Sequence, residues 1–331
     1  MRVLVTGGCG FIGSALVRRL VQAGHKADIV DDMSAGDLVK VSDMPIRVVP
    51  ADLISVYQHT AESKDIENNH TIIFQGDFSH PLVLNRIAQG MYDVVFHLAA
   101  DPRVEYSVQD PAGTTENNLM KTVTLMSACV DNVRRFVFSS SAAVYGNQSG
   151  LISEDSQPKP ESPYALQKLT IDNLLPMFYK FHGLDSVSLR YFNVYGPGHV
   201  GTGAYSTAVA AWCNALQTCT PLRSDGDGTQ TRDLIYVDDV ADANITAALH
   251  DDDLKGRTFN ICTGNAISNN EILQVIWKAW GPFKREDSPP RPGDIKHSQG
   301  DPSLAKDILG FECTVPFTAG MDLTLGWWGL L

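Results

Sequence analysis

The stretch VTGGCGFIGS, residues 5–14, constrains this chain more than any other. Gly7, Gly10 and Gly13 follow an apolar run of strand length and open a segment of helical character. Glycines so spaced let the backbone turn tightly and let a pyrophosphate approach a helix amino terminus, where free N–H groups and the helix dipole favour negative charge. A glycine triplet alone also fits a plain flexible loop, so its meaning rests on the residues downstream of it. The next apolar run, KADIVDD, places Asp31 18 residues beyond Gly13, where a carboxylate can accept hydrogen bonds from adenosine ribose hydroxyls. That charge repels an additional 2′-phosphate, which favours NAD over NADP. Asp32 either joins this contact or starts a solvated loop.

Apolar runs at 2–7, 26–32, 70–77, 92–100, 134–141 and 184–193 alternate with helical stretches at 12–23, 81–89, 118–132 and 163–181. Short buried strands joined by crossover helices imply a parallel sheet covered on both faces. The expected fold is therefore α/β, a doubly wound parallel sheet of the Rossmann type with a smaller α/β substrate-binding domain. The domains are expected at 1–194 plus about 229–252, and at 195–228 plus about 253–331, with a helix near 204–218 and RDLIYV returning to the first sheet. Residues 38–70 read as a surface excursion.

A chain of 331 residues with 44% hydrophobic content can bury a large core. The formal net charge of −12 repels polyanions and excludes nucleic acid or anionic membrane as a general partner. Any anionic ligand must then be held by local arginines or helix ends. Six cysteines show no Cys-x-x-Cys spacing, no apolar leader precedes the first strand, and no apolar run approaches the ~20 residues that span a bilayer. The expectation is a cytoplasmic protein in a reducing compartment, without a metal site.

In YALQK, residues 164–168, Ser162 reads as a helix cap and Pro163 as the first helical residue, so Tyr164 and Lys168 sit one turn apart on one face. For an arbitrary Tyr-x-x-x-Lys this describes a half-buried tyrosine beside a surface lysine. Here the helix follows a strand ending in FSSSAAVYG, in a chain that opens with the phosphate turn. Tyrosine titrates near ~10, and an adjacent ammonium plus a cationic nicotinamide ring both stabilise the phenolate. Tyr164 is a candidate general base.

The glycine turn, the SSS strand end at 139–141, YALQK and LRYFNVYGP at 189–197 together resemble the extended short-chain dehydrogenase/reductase family, specifically its nucleotide-sugar epimerases of the UDP-galactose 4-epimerase type, over nearly the whole chain. The resemblance implies that Tyr164 is the base and that Lys168 holds the nicotinamide ribose and tunes the tyrosine. Ser141 would hydrogen-bond the sugar's reacting oxygen, while Ser139, on the cofactor side, and Ser140 would satisfy backbone groups at the strand end. Cofactor contacts are implied at Phe11 and Ile12 in the turn, at Asp77 and Phe78 near the adenine, and at Leu98, Ala99 and Ala100 behind the adenosine. Asn117 and Tyr191 complete that set. The implied substrate contacts are Ala142, Asn193, Tyr205, Arg232, Arg291, Asp294 and Ser298, with Arg232 and Arg291 gripping the diphosphate through guanidinium forks.

Relatives that carry out dehydration, decarboxylation or 3,5-epimerisation resemble one another in placing acid, base or cysteine groups at positions 141–143, where this chain has Ala142 and Ala143. Alanine supports none of that chemistry. The implied reaction is inversion at C4 of a UDP-hexose: Tyr164 takes the C4 hydroxyl proton, hydride leaves C4 to NAD, and the 4-keto sugar receives it back on the opposite face. Ser298 stands where enzymes confined to glucose and galactose have tyrosine, which implies room for a 2-acetamido group and turnover of both UDP-GlcNAc/UDP-GalNAc and UDP-Glc/UDP-Gal. Two other readings stay open, a UDP-glucuronate 4-epimerase or nucleotide-sugar reductase on the same scaffold, and a non-catalytic NAD-binding regulatory protein. Pro102 stands near a lysine position of some relatives, with Arg103 beside it, and Leu222 and Arg223 stand where an apolar residue faces the base. A homodimer through the helices near 118–132 and 163–181 is implied, and Trp327 and Trp328 either join a subunit contact or close the small domain.

Overall fold

The apolar run RVLVT forms a strand, β1 (Arg2–Thr6), whose last four residues are all buried, as a strand covered on both faces requires. The computed structural model describes residues 1–50, 70–200, 207–289 and 296–331. After β1 come α1 (Phe11–Gln22), β2 (Lys26–Asp31), β3 (Ile46–Val49), β4 (Thr71–Gln75), α2 (Pro81–Ala88) and β5 (Val94–His97). Short helices α3 (Val104–Gln109) and α4 (Pro111–Thr115) lead through a π turn at Glu116–Met120 into α5 (Lys121–Cys129), followed by β6 (Arg135–Ser141), α6 (Pro163–His182) and β7 (Ser186–Tyr191). The remainder is β8 (Asn193–Tyr195), α7 (Ala208–Gln217), β9 (Leu222–Asp225), β10 (Thr231–Tyr236), α8 (Val237–Leu249), β11 (Arg257–Ile261), β12 (Ala266–Ser268), α9 (Asn269–Trp280), β13 (Arg285–Ser288) and α10 (Phe317–Trp327).

Eight strands form the large sheet in the order β11, β7, β6, β5, β1, β2, β4, β3. β1 pairs in parallel with β2 on one side and β5 on the other, so the strand order reverses at β1. In open α/β sheets that reversal leaves a crevice at the carboxyl ends of the strands, where ligands bind. The doubly wound expectation holds.

By contacts the chain forms two compact units, one of Met1–Ser140, Ser162–Leu189 and Ala241–Thr258, the other of Ser141–Glu161, Arg190–Val240 and Phe259–Leu331. The core of the first unit is Leu4, Val30, Phe74, Leu125, Phe136 and Ile171 with their neighbours. A buried ion pair fastens α8 into it. Arg135 donates from Nε to Asp185 Oδ2 at 2.6 Å and from its terminal nitrogens to the carbonyls of Ala247 (2.8 Å), His250 (2.7 Å) and Asp252 (2.7 Å). These include the orphan carbonyls of a helix carboxyl end. Asp185 Oδ1 in turn accepts the Leu254 and Lys255 N–H groups, each at 2.8 Å.

Two sequence expectations are corrected. RDLIYV does not return to the large sheet: β10 lies between β8, parallel, and β12, antiparallel, in a separate three-stranded sheet. The run 184–193 breaks at Phe192, whose N–H goes to Ile261 O at 3.1 Å, which frees Asn193–Tyr195 to pair with β10. The eighth strand of the large sheet is β11 instead. The excursion expected over 38–70 is partly regular, since β3 pairs in parallel with β4 and Leu38–Val41 forms a 3-10 turn capped by Asp37. Four strand residues between prolines are too few for periodicity to show. The rest of that segment, 51–69, lies outside the described residues.

Asp185→Ala should leave the Arg135 guanidinium buried without its counter-charge, a loss of about 3–5 kcal/mol. Urea unfolding checks this, and an unchanged midpoint contradicts the assigned role.

Candidate active site

Where β1 ends, Gly7 adopts φ +70°, and a Cβ there would lie 2.9 Å from Ala99 N. A Cβ on Gly13 would overlap the Gly7 carbonyl oxygen. The backbone therefore runs too close to itself for side chains, and α1 starts directly above the end of β1. Its N-cap, Gly10, supplies no side-chain cap and its first turn has no acidic residue. By contrast Ser162, Thr207 and Ser268 cap α6, α7 and α9 with their hydroxyls. The leading N–H groups of α1 are left for an anion, and this cradle fits a dinucleotide pyrophosphate. Phe11 and Ile12 are half-buried in the first turn.

Asp31 is buried at the end of β2, where Oδ2 accepts the Cys9 N–H and Oδ1 the Met33 N–H, each at 2.9 Å. It ties the glycine turn to β2, and its remaining lone pairs suit ribose hydroxyls. Burial raises its carboxyl pKa, against the pull of those two backbone bonds. Asp32 is exposed and takes the loop role, accepting from Ser34 N and Oγ. Asp77 is half-buried; burial would raise its pKa, but the Lys121 ammonium on Oδ2 and Ser79 on Oδ1 hold it below the usual carboxylate range. Phe78 is a core residue, edge-on to His97 at 4.8 Å. Leu98, Ala99 and Ala100 are half-buried.

The helix carrying YALQK starts as expected, with Ser162 Oγ accepting the Ala165 N–H at 3.2 Å and Pro163 in the first turn. The orphan Tyr164 N–H goes to Ser107 Oγ at 3.1 Å. Tyr164 and Lys168 are 9% and 3% exposed, so neither is a surface residue. Lys168 Nζ donates to Ser139 O at 2.6 Å and lies 4.7 Å over the Phe138 ring and 5.9 Å over that of Tyr164. Burial lowers the Lys168 pKa to about 8, with Asp172 opposing the fall.

His97, also buried, must be neutral. Thr122 gives its one hydroxyl hydrogen to Asn118 O, so it accepts from His97 Nε2 at 2.8 Å, and His97 Nδ1 accepts from Thr6 Oγ1 at 2.7 Å. Thr6 Oγ1 then accepts the Ala99 N–H at 3.1 Å. Burial first, and the nearby Lys168 ammonium second, push His97 well below the usual histidine range. This chain of bonds joins Asn118 and Thr122, through His97, to the end of β1 and the 98–100 wall within the first unit.

Next to the expected Asn117, Asn118 organises the protein side of this region. Asn118 is buried; its Oδ1 accepts the Asp101 N–H at 2.8 Å and its Nδ2 donates to Asp101 O (3.0 Å) and Gln167 Oε1 (2.9 Å). Gln167 passes the network on to Thr114 and Thr115. Asn117 is half-buried; its Nδ2 donates to Asn118 Oδ1 at 3.4 Å and its Oδ1 accepts from Lys121 Nζ at 3.5 Å. The π turn inserts an extra residue and rotates the inward face by one position, which helical spacing alone does not reveal. The serine expectation needs correction: Ser139 acts through its carbonyl, and the buried Ser140 hydroxyl has no partner among the described residues. Arg103 is engaged by Asp101.

The second unit holds the remaining candidates. Ser141 ends β6 and its Oγ accepts the Ala143 N–H at 3.2 Å, which leaves its hydroxyl hydrogen to donate. Ala142 is half-buried and Tyr191 buried. Asn193 opens β8 opposite Leu234, and Arg232, half-buried on β10, donates to Thr231 O at 2.9 Å. Between them, Asp233 accepts Thr263 N (2.8 Å), Thr263 Oγ1 (2.7 Å), Gly264 N (2.9 Å) and Gly300 N (3.1 Å). Sequence reasoning missed this clamp, whose signal was an acidic residue directly before the apolar run LIYV. Ser298, 8% exposed, is held by its N–H to Thr231 O at 3.2 Å. Leu222 is fully buried and is not available to a base, and Arg223 turns outward to Asp225. Trp328 is buried and Trp327 exposed. Tyr205, Arg291 and Asp294 lie outside the described residues.

Residues 3–262 match the model of the NAD dependent epimerase/dehydratase family. A UDP-glucose 4-epimerase of Mycolicibacterium smegmatis is 34% identical over 98% of this chain and 97% of its own length. Among solved structures, a UDP-N-acetylglucosamine 4-epimerase from Methanobrevibacter ruminantium, in complex with UDP-N-acetylmuramic acid, superposes with a TM-score of 0.85 at 31% identity, covering 99% of this chain and 97% of that one. A UDP-glucuronic acid 4-epimerase from Bacillus cereus, bound to UDP-glucuronic acid and NAD, gives a TM-score of 0.84 at 29% identity and 99% coverage of both chains.

Gly7→Ala should strain the turn and push on Ala99, so the purified variant should retain NAD at least ~10-fold less tightly. Nucleotide released on denaturation measures this, and wild-type retention counts against the cradle.

Proposed function

Because the chain belongs to the NAD-dependent epimerase/dehydratase family, with NAD as its cofactor, we propose that it inverts C4 of a UDP-hexose and accepts UDP-N-acetylglucosamine and UDP-N-acetylgalactosamine as well as UDP-glucose and UDP-galactose. The observation that carries the proposal is the buried Lys168 ammonium one helical turn from the buried Tyr164, in a unit that also offers an uncapped glycine turn. NAD, when bound, supplies a hydride acceptor that later returns the same hydride.

The chain's own residues do the rest. Gly7, Gly10, Gly13 and the start of α1 hold the pyrophosphate, and Asp31 the ribose. Lys168 stabilises the phenolate of Tyr164, which takes the C4 hydroxyl proton and gives it back. Ser141 donates a hydrogen bond to the reacting oxygen, with Ala142 and Asn193 beside the sugar. Arg232 and Arg291 neutralise the diphosphate, an arrangement an acidic chain needs. Tyr205 and Asp294 complete the substrate set. Ala142 and Ala143 offer no second acid or base, which supports a reaction confined to one carbon. Ser298, small and held by the β10 segment, supports the acetylated substrates. The similarity to a glucuronate epimerase keeps UDP-glucuronate as the second reading. The six free thiols favour a reducing, cytoplasmic setting.

Incubation with UDP-glucose, UDP-N-acetylglucosamine and UDP-glucuronate separately, without added cofactor, should yield the C4 epimers of the first two with no build-up of NADH. Tyr164→Phe should lower kcat about 10²–10⁴-fold, and Ser298→Tyr should abolish turnover of the acetylated sugar alone. Turnover of glucuronate only, or a Phe variant near full rate, sinks the proposal.

We further propose a homodimer through the helices at 116–129 and 163–182, whose Met120, Leu166, Met177 and Phe181 are all more than half exposed. Light scattering should then give twice 36.1 kDa, and a monomer mass rejects it.

A further inference from the structure

A lysine ammonium 3% exposed, with one carbonyl as its hydrogen-bond partner, is an expensive group to keep charged. Groups from three elements face it. From β6 come the Ser139 carbonyl and the Phe138 ring, and from β5 comes His97, neutral because both of its ring nitrogens are engaged by threonines. From its own helix come Tyr164, one turn before it, and Asp172, one turn after it. The carbonyl and the aromatic face favour a cation only weakly. Among the described residues Asp172 is the carboxylate that acts on Lys168.

Asp172 is itself only 4% exposed. Ser188, fully buried on β7, donates its hydroxyl to Asp172 Oδ1 at 2.5 Å, the short distance expected of a charge-assisted bond. An amide or hydroxyl could close a hydrogen bond to that serine without the cost of desolvating an anion. A carboxylate at this place makes sense for its charge.

We propose that Asp172, locked by Ser188, is the buried counter-charge of the Lys168 ammonium and thereby a positioning residue for proton transfer at Tyr164, an inference that rests on the epimerase reading above. It touches neither sugar nor cofactor and acts through the lysine. Asp172 holds the ammonium charged, and the charged ammonium holds the phenolate.

The test uses the full-length, NAD-loaded enzyme and two variants, Asp172→Asn and Ser188→Ala. Isotope-labelled lysine followed by NMR, with Lys168→Arg used to assign the resonance, reports the Lys168 titration without reference to activity. In Asp172→Asn its midpoint should fall by about one pH unit. The alkaline limb of the kcat profile with UDP-glucose should move down by the same amount, while KM and NAD content stay within about twofold. Ser188→Ala should shift both in the same direction by less, and it serves alone if the Asn variant does not fold. A Lys168 midpoint that stays put in a folded variant overturns the inference. A midpoint that falls while the rate profile stays unchanged supports the pairing of Asp172 with Lys168 and instead removes the catalytic reading of Tyr164 and Lys168.

Discussion

Taking an ammonium out of water costs several kcal/mol unless the surroundings answer it, and the burial of Lys168 is the constraint around which the first unit is organised. Its ammonium lies over the face of Phe138 and meets the Ser139 carbonyl near the end of β6. His97 sits within reach of its field and is kept neutral by two threonines, so that no second cation competes. The helix that carries the lysine is placed by Ser162 at its cap, Ser107 on the Tyr164 N–H and Gln167 on the Asn118 network. Loosening any of these moves the charge relative to the Tyr164 ring, 5.9 Å from it.

The glycine turn obeys a different constraint, that of backbone approaching backbone. Gly7 against Ala99 and Gly13 against Gly7 leave no room for a Cβ, and the same closeness points an uncapped helix start at the crevice where the strand order reverses. Asp31 then closes the turn by accepting the Cys9 N–H and also the Met33 N–H, so one carboxylate ties the loop to the end of β2. In the second unit Asp233 works in the same economical way. Its four hydrogen bonds join β10, which carries Arg232, to the 263–264 turn and to Gly300, two residues past Ser298.

Where the reading from sequence failed, it failed for reasons of register and length. Asn118, whose buried network the sequence did not point to, is turned inward by a π turn. β3 is four residues between prolines and carries no period. The run 184–193 looks continuous, yet Phe192 hands its N–H to β11 and the chain changes sheets there. None of these outcomes depends on the type of residue at the site. Each depends on what lies across from it.

What the sequence determined by itself was the alternation of buried strands and crossover helices, the glycine turn after β1, the acidic end of β2, and the helical spacing of Tyr164 and Lys168. All are local, because they arise from backbone freedom, apolar period and capping chemistry within a few residues. What only the tertiary structure decided was which polar and charged groups are buried and who answers them: Asp172 and Ser188 for Lys168, Asp185 for Arg135, the threonines for the neutral His97, and Asp233 for the segment holding Ser298. Desolvation is set by everything that packs around a group, and those neighbours come from strands and turns far apart along the chain.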